Sequence, residues 1–336
     1  MAHRPKLSTV AAAAGVSTAT VSQVLRGTGR ISAQTRDRVL AAARQVNYLP
    51  DGRAAALRSG ENREIGLVLH HLANPFNAEV VSGVSDRLER AGHLVSVLDS
   101  RDDAEREGRN LRALIASMRG GLIWVPASGT DPATLDLLMA QRLPVVTFLH
   151  RVAEGFDHVG LRNAAALGRA VDHLAELGHR RIAFLGGTTP RAPRAERIAG
   201  YAAALAAHGL GAPLVFPCED SKPGGLSAML TLRETHPEVT AVVCNGDMVA
   251  LGACLGLGRR GETPGREVSV IGFDDVADAA LATPALTTLS IAPYTLGQHL
   301  AERLLARLSD RAAAPVHQEL DASLILRDTT APPLPR

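Results

Sequence analysis

The sequence predicts a chain in two parts: an N-terminal all-α helix-turn-helix headpiece and an α/β core of two doubly wound parallel-sheet subdomains. Three observations carry this. Residues 7–27, LSTVAAAAGVSTATVSQVLRG, read as two short helices around a tight turn. From Ile65 onward, apolar strand-like runs alternate with amphipathic helical runs, the pattern of parallel sheets covered by helices. Roughly ten strands exceed one comfortable sheet. Two similar subdomains with a cleft at the carboxyl ends of their strands are therefore expected.

The headpiece elements follow from local chemistry. Leu7 to Ala14 is alanine-rich and helical, and Gly15 suits the left-handed residue that ends it. Ser17 caps the next helix, Thr18 to Leu25. Ala11, Val16, Val21 and Val24 point inward, and Ala11 is small where the two helices cross. Ser32 caps a third helix, Ala33 to Asn47, with Val39, Leu40, Ala43 and Val46 as its apolar stripe and Pro50 as its stop. The segment 51–60, DGRAAALRSG, is too short for a stable isolated helix and reads as a conditionally helical linker.

In the core, strands are expected at 65–70, 94–98, 121–125, 145–149, 182–185, 241–244, 268–273 and 324–326. Helical runs lie at 77–91, 164–178, 196–208, 248–260 and 295–308. Charge divides the same way. Residues 1–60 carry nine Lys/Arg against two acids, while the remaining residues hold 27 basic and 32 acidic residues. A cationic end on an anionic body suits phosphate binding. Cys218, Cys244 and Cys254 have no metal or disulfide spacing and read as buried reduced thiols. The N-terminus has no apolar signal and no run is long enough for a membrane span, so a cytoplasmic protein with no cofactor or metal is expected.

Together the motifs resemble one family. LSTVAAAAGVSTATVSQVL, NYLP, IGLVL, NPF, ELGHRRIAFLGG, RIAGY, CNGDMVALGA, VSVIGFDD and TPALTTL occur in the order of the LacI/GalR family of bacterial transcription regulators. GTGRIS, RAERIAGY and AVVCNGDMVALGA resemble its MalI-type branch. The resemblance implies a headpiece at 1–50, a hinge helix and linker at 51–62, and a periplasmic-binding-protein-like effector and dimerisation domain at 63–330. Its N-subdomain would hold about 63–162 plus 292–325, and its C-subdomain about 163–291. It implies a homodimer on a pseudo-palindromic operator, acting as a ligand-responsive repressor. Thr18, Ala19 and Gln23 would face base edges, where Gln suits adenine and small apolar groups suit the thymine methyl. Ser17, Thr20 and Ser22 would meet phosphate. In the hinge, Leu57 would wedge into the minor groove beside Ala54 and Arg58. Asp51 and Ala55 depart from the family's usual Asn and Arg, and an acid there repels phosphate.

For the effector cleft the resemblance implies Phe76, Asn77, His150, Arg191, Arg197, Asp247 and Asp274. Arg197 would make bidentate contacts, and Asp274 would accept from ligand hydroxyls. Asp247 reads equally as a helix cap. Where sugar-sensing relatives often carry Asp, this chain has His150 and Arg151. With Arg191, Arg194 and Arg197, this admits an anionic metabolite beside a sugar-like one. Val80, Val81, Val84 and Leu88 form one stripe that serves the core, the dimer or both. The proline-ended tail has no heptads, so a dimer is expected. An enzyme is opposed by the absence of nucleophile-elbow, phosphate-loop or zinc-protease motifs. Asp274 and Asp275 would point to opposite faces of an extended segment. A secreted solute-binding protein is opposed by the basic headpiece.

Overall fold

The computed structural model describes residues 4–49, 62–188 and 192–335, in two compact units that divide after Asn62. The first unit holds α1 (Leu7–Ala14), α2 (Thr18–Arg26) and α3 (Ala33–Gln45). Val10, Ala11, Ala14, Val21, Val24, Val39, Ala42 and Ala43 form its core, with Val16, Leu40 and Val46 packed at the margin. Gly15 turns the chain at φ 60°, and the Ser17 and Ser32 hydroxyls accept the Thr20 and Thr35 amides. The third helix is shorter than expected. Asn47 at φ 51° ends it, with the Tyr48 amide bonded back to the Ala43 carbonyl at 2.9 Å. This left-handed cap stops the helix ahead of Pro50.

The second unit carries two six-stranded sheets. The first sheet contains β1 (Glu64–Leu69), β2 (Leu94–Asp99), β3 (Gly121–Trp124), β4 (Val145–Phe148), β5 (Asp157–Leu161) and β11 (His317–Leu320). Its order is β11-β5-β4-β3-β1-β2. The second contains β6 (Ile182–Leu185), β7 (Leu214–Phe216), β8 (Ala241–Cys244), β9 (Ser269–Asp274), β10 (Thr287–Ser290) and β12 (Ser323–Ile325). Its order is β12-β10-β9-β8-β6-β7. Every pairing is parallel except β10 with β12. The helices are α4 (Pro75–Arg90), α5 (Ala104–Ala116), α6 (Pro132–Ala140), α7 (Asn163–Glu176), α8 (Ala192–Ala207), α9 (Lys222–Thr235), α10 (Asp247–Arg259), α11 (Ala277–Leu281) and α12 (Pro293–Ser309).

The chain passes between lobes three times, after β5, before α12 and between β11 and β12. The last passage corrects the expected boundary at 325: residues 323–325 belong to the second sheet. Beyond them, Thr329 exchanges bonds with Val270, with 2.8 Å from the Val270 amide to its carbonyl and 2.7 Å from its hydroxyl to the Val270 carbonyl. Val80, Val84 and Leu88 are wholly buried in the core of the unit, and Val81 is half-buried. Glycines bring α4 and α12 together here. A Cβ on Gly83 would lie 2.0 Å from the Tyr294 carbonyl oxygen, and one on Gly297 2.2 Å from that of Val80.

A buried ion pair fixes the return of the chain to the first sheet. Arg307 on α12 reaches both oxygens of Asp157 at 2.6 and 3.1 Å. Its other donors take the carbonyls of Ala313 and Ala314, and the Val316 amide bonds Asp157 at 2.8 Å. The Asp157 side chain is fully buried. Arg307→Met is therefore expected to cost up to ~3–5 kcal/mol, since it leaves the buried carboxylate with only the Val316 amide and the more distant Arg303 guanidinium, 3.7 Å away. Urea denaturation measures this, and a loss below about 1 kcal/mol would refute the assignment.

Candidate functional site

On α2, burial of Val21 and Val24 fixes the helix rotation and turns the opposite face outward. Ser17, Thr18, Ala19 and Gln23 are exposed, and Thr20 and Ser22 are half-buried. Two of the expected phosphate ligands are partly engaged with each other: the Ser17 and Thr20 hydroxyls share a bond of 2.9 Å. Arg26, one of the nine basic residues of 1–60, adds a charge in the last turn of this helix. Its Nε donates to the Ser22 carbonyl at 3.0 Å, which folds the guanidinium back along the row 18, 22, 26. The i,i+4 spacing was the available signal. The hinge residues Ala54, Leu57 and Arg58, the departures Asp51 and Ala55, and Arg191 lie outside the described residues.

The second site gathers where parallel strands end. Residues other than glycine at positive φ cluster there: His71 at 58°, Leu149 at 68°, Asp274 at 119° and Asp275 at 61°. Each such conformation costs on the order of 1–3 kcal/mol and concentrates at ligand sites. Arg197, on α8, is buried with its guanidinium 3.6 Å from the Phe273 ring centroid. Its Nε donates to Asn163 Oδ1 at 2.9 Å, and its Nη1 to the Asn245 carbonyl. Burial opposes its charge, and Asp274 is foremost in restoring it. Asp274 is itself buried, and its carboxyl group makes no hydrogen bond among the described residues. Burial pushes its carboxyl well up, with Arg197 pulling the other way.

Asp247 is wholly buried at the start of α10. Its two oxygens accept the Thr288 hydroxyl at 2.6 Å and the Val276 amide at 2.9 Å. Burial raises its carboxyl to about 7. It thus acts as a cross-tie between α10, β10 and the turn after β9. Asp220 joins the same pole, accepting the Gly187 amide and Asn245 Nδ2, each at 3.0 Å.

The first lobe supplies the facing wall. His150 lines a cavity of about 320 Å³ with Ala127, Ser128, Thr130, Val152 and Ala192. Glu107, buried under this wall, takes Trp124 Nε1 at 2.8 Å, the Ala127 amide at 2.6 Å and the Thr130 hydroxyl at 2.8 Å. Burial raises its carboxyl. Asn77 Nδ2 donates to the carbonyls of His70 and His71 at 2.7 and 3.0 Å, which leaves its Oδ1 buried without a partner among the described residues. Phe76 is buried within the hydrophobic core. Glu79 on α4 bridges the lobes, accepting the Ala277 amide at 3.3 Å.

Comparison with known proteins settles the family. Residues 6–51 match the model for bacterial regulatory proteins of the lacI family, and residues 171–330 match a periplasmic binding protein-like domain. The maltose regulon regulatory protein MalI of Escherichia coli K12 is 33% identical over 313 residues, covering 89% of this chain and 91% of that protein. The chain belongs to the lacI family. The E. coli regulator AscG is 31% identical over 96% of this regulator and 98% of its own length. Among solved structures, the lac repressor dimer bound to operator and the anti-inducer ONPF superimposes with a TM-score of 0.85 at 28% identity. It covers 98% of this chain and 100% of that one. A CelR–cellobiose complex does so with 0.73 at 28% identity, over 97% and 100%. The protein is thus a DNA-binding transcriptional regulator and not an enzyme. No helix among its described residues is long and apolar enough to cross a membrane.

Of the residues named from sequence for the regulator's cleft, Arg197, Asp247 and Asp274 lie together at one pole and His150 lines the facing cavity. Asn163, Asp220 and Asn245 were missed, because each is tied to Arg197 or its neighbours only through folding. The cysteines also need a correction: Cys244 is buried, whereas Cys218 and Cys254 are half-buried. Burial pushes all three thiols up, to about 11 for Cys218 and about 12 for Cys254.

Proposed function

We propose that this regulator acts in the cytoplasm as a homodimeric repressor on a pseudo-palindromic operator, switched by a neutral, hydroxyl-rich ligand in the cleft. The observation that carries the ligand class is the imbalance of acceptors over donors. Asn77 Oδ1 and Asn245 Oδ1 are buried without partners among the described residues, and the Asp274 carboxylate makes no hydrogen bond there. Both amides have their orientation set by the acceptors their Nδ2 groups already serve. Asp274, Asp220, Glu196 and Asp247 surround Arg197 electrostatically and support its charge against burial. Arg151 is drawn to Glu154 and His317, at 3.3 and 2.9 Å. A sugar supplies the donors such a pole needs, whereas a phosphate adds charge to an acidic site.

A thermal-shift series with cellobiose, simple hexoses, their phosphates and inorganic phosphate tests the reading. Neutral sugars are expected to raise the melting temperature and to change operator affinity by gel shift. Stabilisation confined to the phosphates would overturn it. The ligand shifts operator binding only through differential affinity for two states, with coupling of ~1–3 kcal/mol. The mechanism places that coupling in the hinge around Ala54, Leu57 and Arg58. Leu57→Ala is expected to weaken operator binding about tenfold or more while leaving ligand binding unchanged. Equal operator affinity by fluorescence anisotropy would remove Leu57 from the mechanism.

A further inference from the structure

The face of α2 carries one side chain whose placement depends on a residue outside the helix. Gln23 leans over the turn that follows α2. A Cβ on Gly29 would come within 3.1 Å of Gln23 Oε1, 3.2 Å of its Cδ and 3.6 Å of its Cβ. The turn itself is tied to the helix under this side chain, with the Thr28 amide bonded to the Gln23 carbonyl at 3.0 Å. Gly29 stands at φ +82°, where side chains are rarely tolerated. Gly27, in the same turn, stands at +67°, and a Cβ there would meet nothing within 4 Å. The two glycines therefore separate two demands. Both satisfy a left-handed backbone, but only Gly29 also makes room for Gln23.

We infer that Gly29 is a positioning residue for base reading: its missing side chain lets the Gln23 amide lie over the 27–30 turn and so sets which base edge that amide reaches. The amide makes no hydrogen bond among the described residues, so both its donor and its acceptor stay available for adenine in the bidentate manner. A Cβ at 29 displaces Oε1 and Cδ, the end of a flexible chain, rather than backbone. The consequence of that contact is a changed angle of approach at one base pair, and the backbone strain of a side chain at φ +82° is a separate cost. Direct contact between Gly29 and DNA is not required. This inference rests on the assignment of Gln23 to a base edge.

The test is half-site selection from a randomised operator library, using the full-length dimer with Gln23→Ala, Gly29→Ala, Gly29→Asn, Gly27→Ala and the Gln23→Ala/Gly29→Ala double variant. Asparagine tolerates positive φ better than alanine and still adds a Cβ. It keeps the test valid if Gly29→Ala unfolds the headpiece. Gly29→Asn is expected to reduce preference at the base pair that Gln23→Ala affects, on the order of 5- to 100-fold, the range of a good bidentate contact. Gly27→Ala is expected to lower total affinity without altering the selected base. The double variant is expected to select as Gln23→Ala does, because contacting residues are not additive. If Gln23→Ala keeps the parent preference, the base-reading assignment itself fails. If Gln23→Ala changes it and Gly29→Asn does not, or if Gly27→Ala changes it equally, the positioning role of Gly29 is overturned.

Discussion

Replacing Asp247 by asparagine is expected to make the regulator more stable than the parent at pH 8 and to leave the two alike near pH 4. The Asp247 carboxyl is held near 7 by burial, against an ordinary 3.8. Between those values the folded chain binds a proton that the unfolded chain has released. Stability therefore falls as pH rises from about 4 to 7 and is level above. At 1.36 kcal/mol per tenfold change in proton affinity, this one group accounts for ~4 kcal/mol at most. Asparagine carries no charge to bury. Its oxygen can accept the Val276 amide while its amide faces the Thr288 hydroxyl, which can accept instead. Histidines act in the opposite sense. Burial lowers His158 to about 4 and lowers His173 and His179, so they favour the fold as pH rises. Urea denaturation of both proteins at pH 5, 6, 7 and 8 cancels that shared contribution. Parallel stability curves would show that the buried carboxyl is not the source of the slope.

The contrast between headpiece and cleft shows what could be seen in the chain before folding. Gly15, Ser17 and Ser32 act on neighbours three or four residues away, so their caps are legible locally. β11, with the sequence HQEL, could not be found by an apolar run, because it is an exposed edge strand beside β5. β10, with TTLS, hides its burial behind threonines, two of which are wholly buried. At the cleft, the resemblance placed Arg197 and Asp274 but not their environment. The partner Asn163 is 34 residues from Arg197, and Asn245 is 48 residues away. Phe76 shows the converse. The resemblance implied it as a cleft residue, yet it lies in the first turn of α4 with its ring in the core. Residue types and strand order can be read along the chain, whereas whether a charge meets a partner or stands alone depends on contacts across it.

Arg197→Met is expected to destabilise the regulator strongly at pH 8, much less at pH 5, and to abolish its response to ligand. Methionine keeps an apolar stem over the Phe273 ring but removes the fork that bonds Asn163 and the Asn245 carbonyl. It also removes the first counter-charge of Asp274, whose carboxyl is already raised by burial. Stranding a buried carboxylate costs ~3–5 kcal/mol. Protonation relieves that cost, so the loss shrinks as pH falls. The Arg197→Met/Asp274→Asn double variant is therefore expected to regain most of the stability at pH 8. It is not expected to regain the ligand response, because the Arg197 donors are gone and asparagine keeps only one acceptor oxygen of the Asp274 carboxylate. Operator affinity without ligand should stay within about threefold of the parent, since the hydrogen bonds of Arg197 all lie within the second unit. Denaturation at the two pH values measures the first effect. Anisotropy of an operator duplex, titrated with whichever sugar stabilises the parent, measures the second. Release of Arg197→Met at the parent's ligand concentration would remove Arg197 from the switch. An equal stability loss at both pH values would show that packing, and not the unpaired Asp274 charge, accounts for the cost.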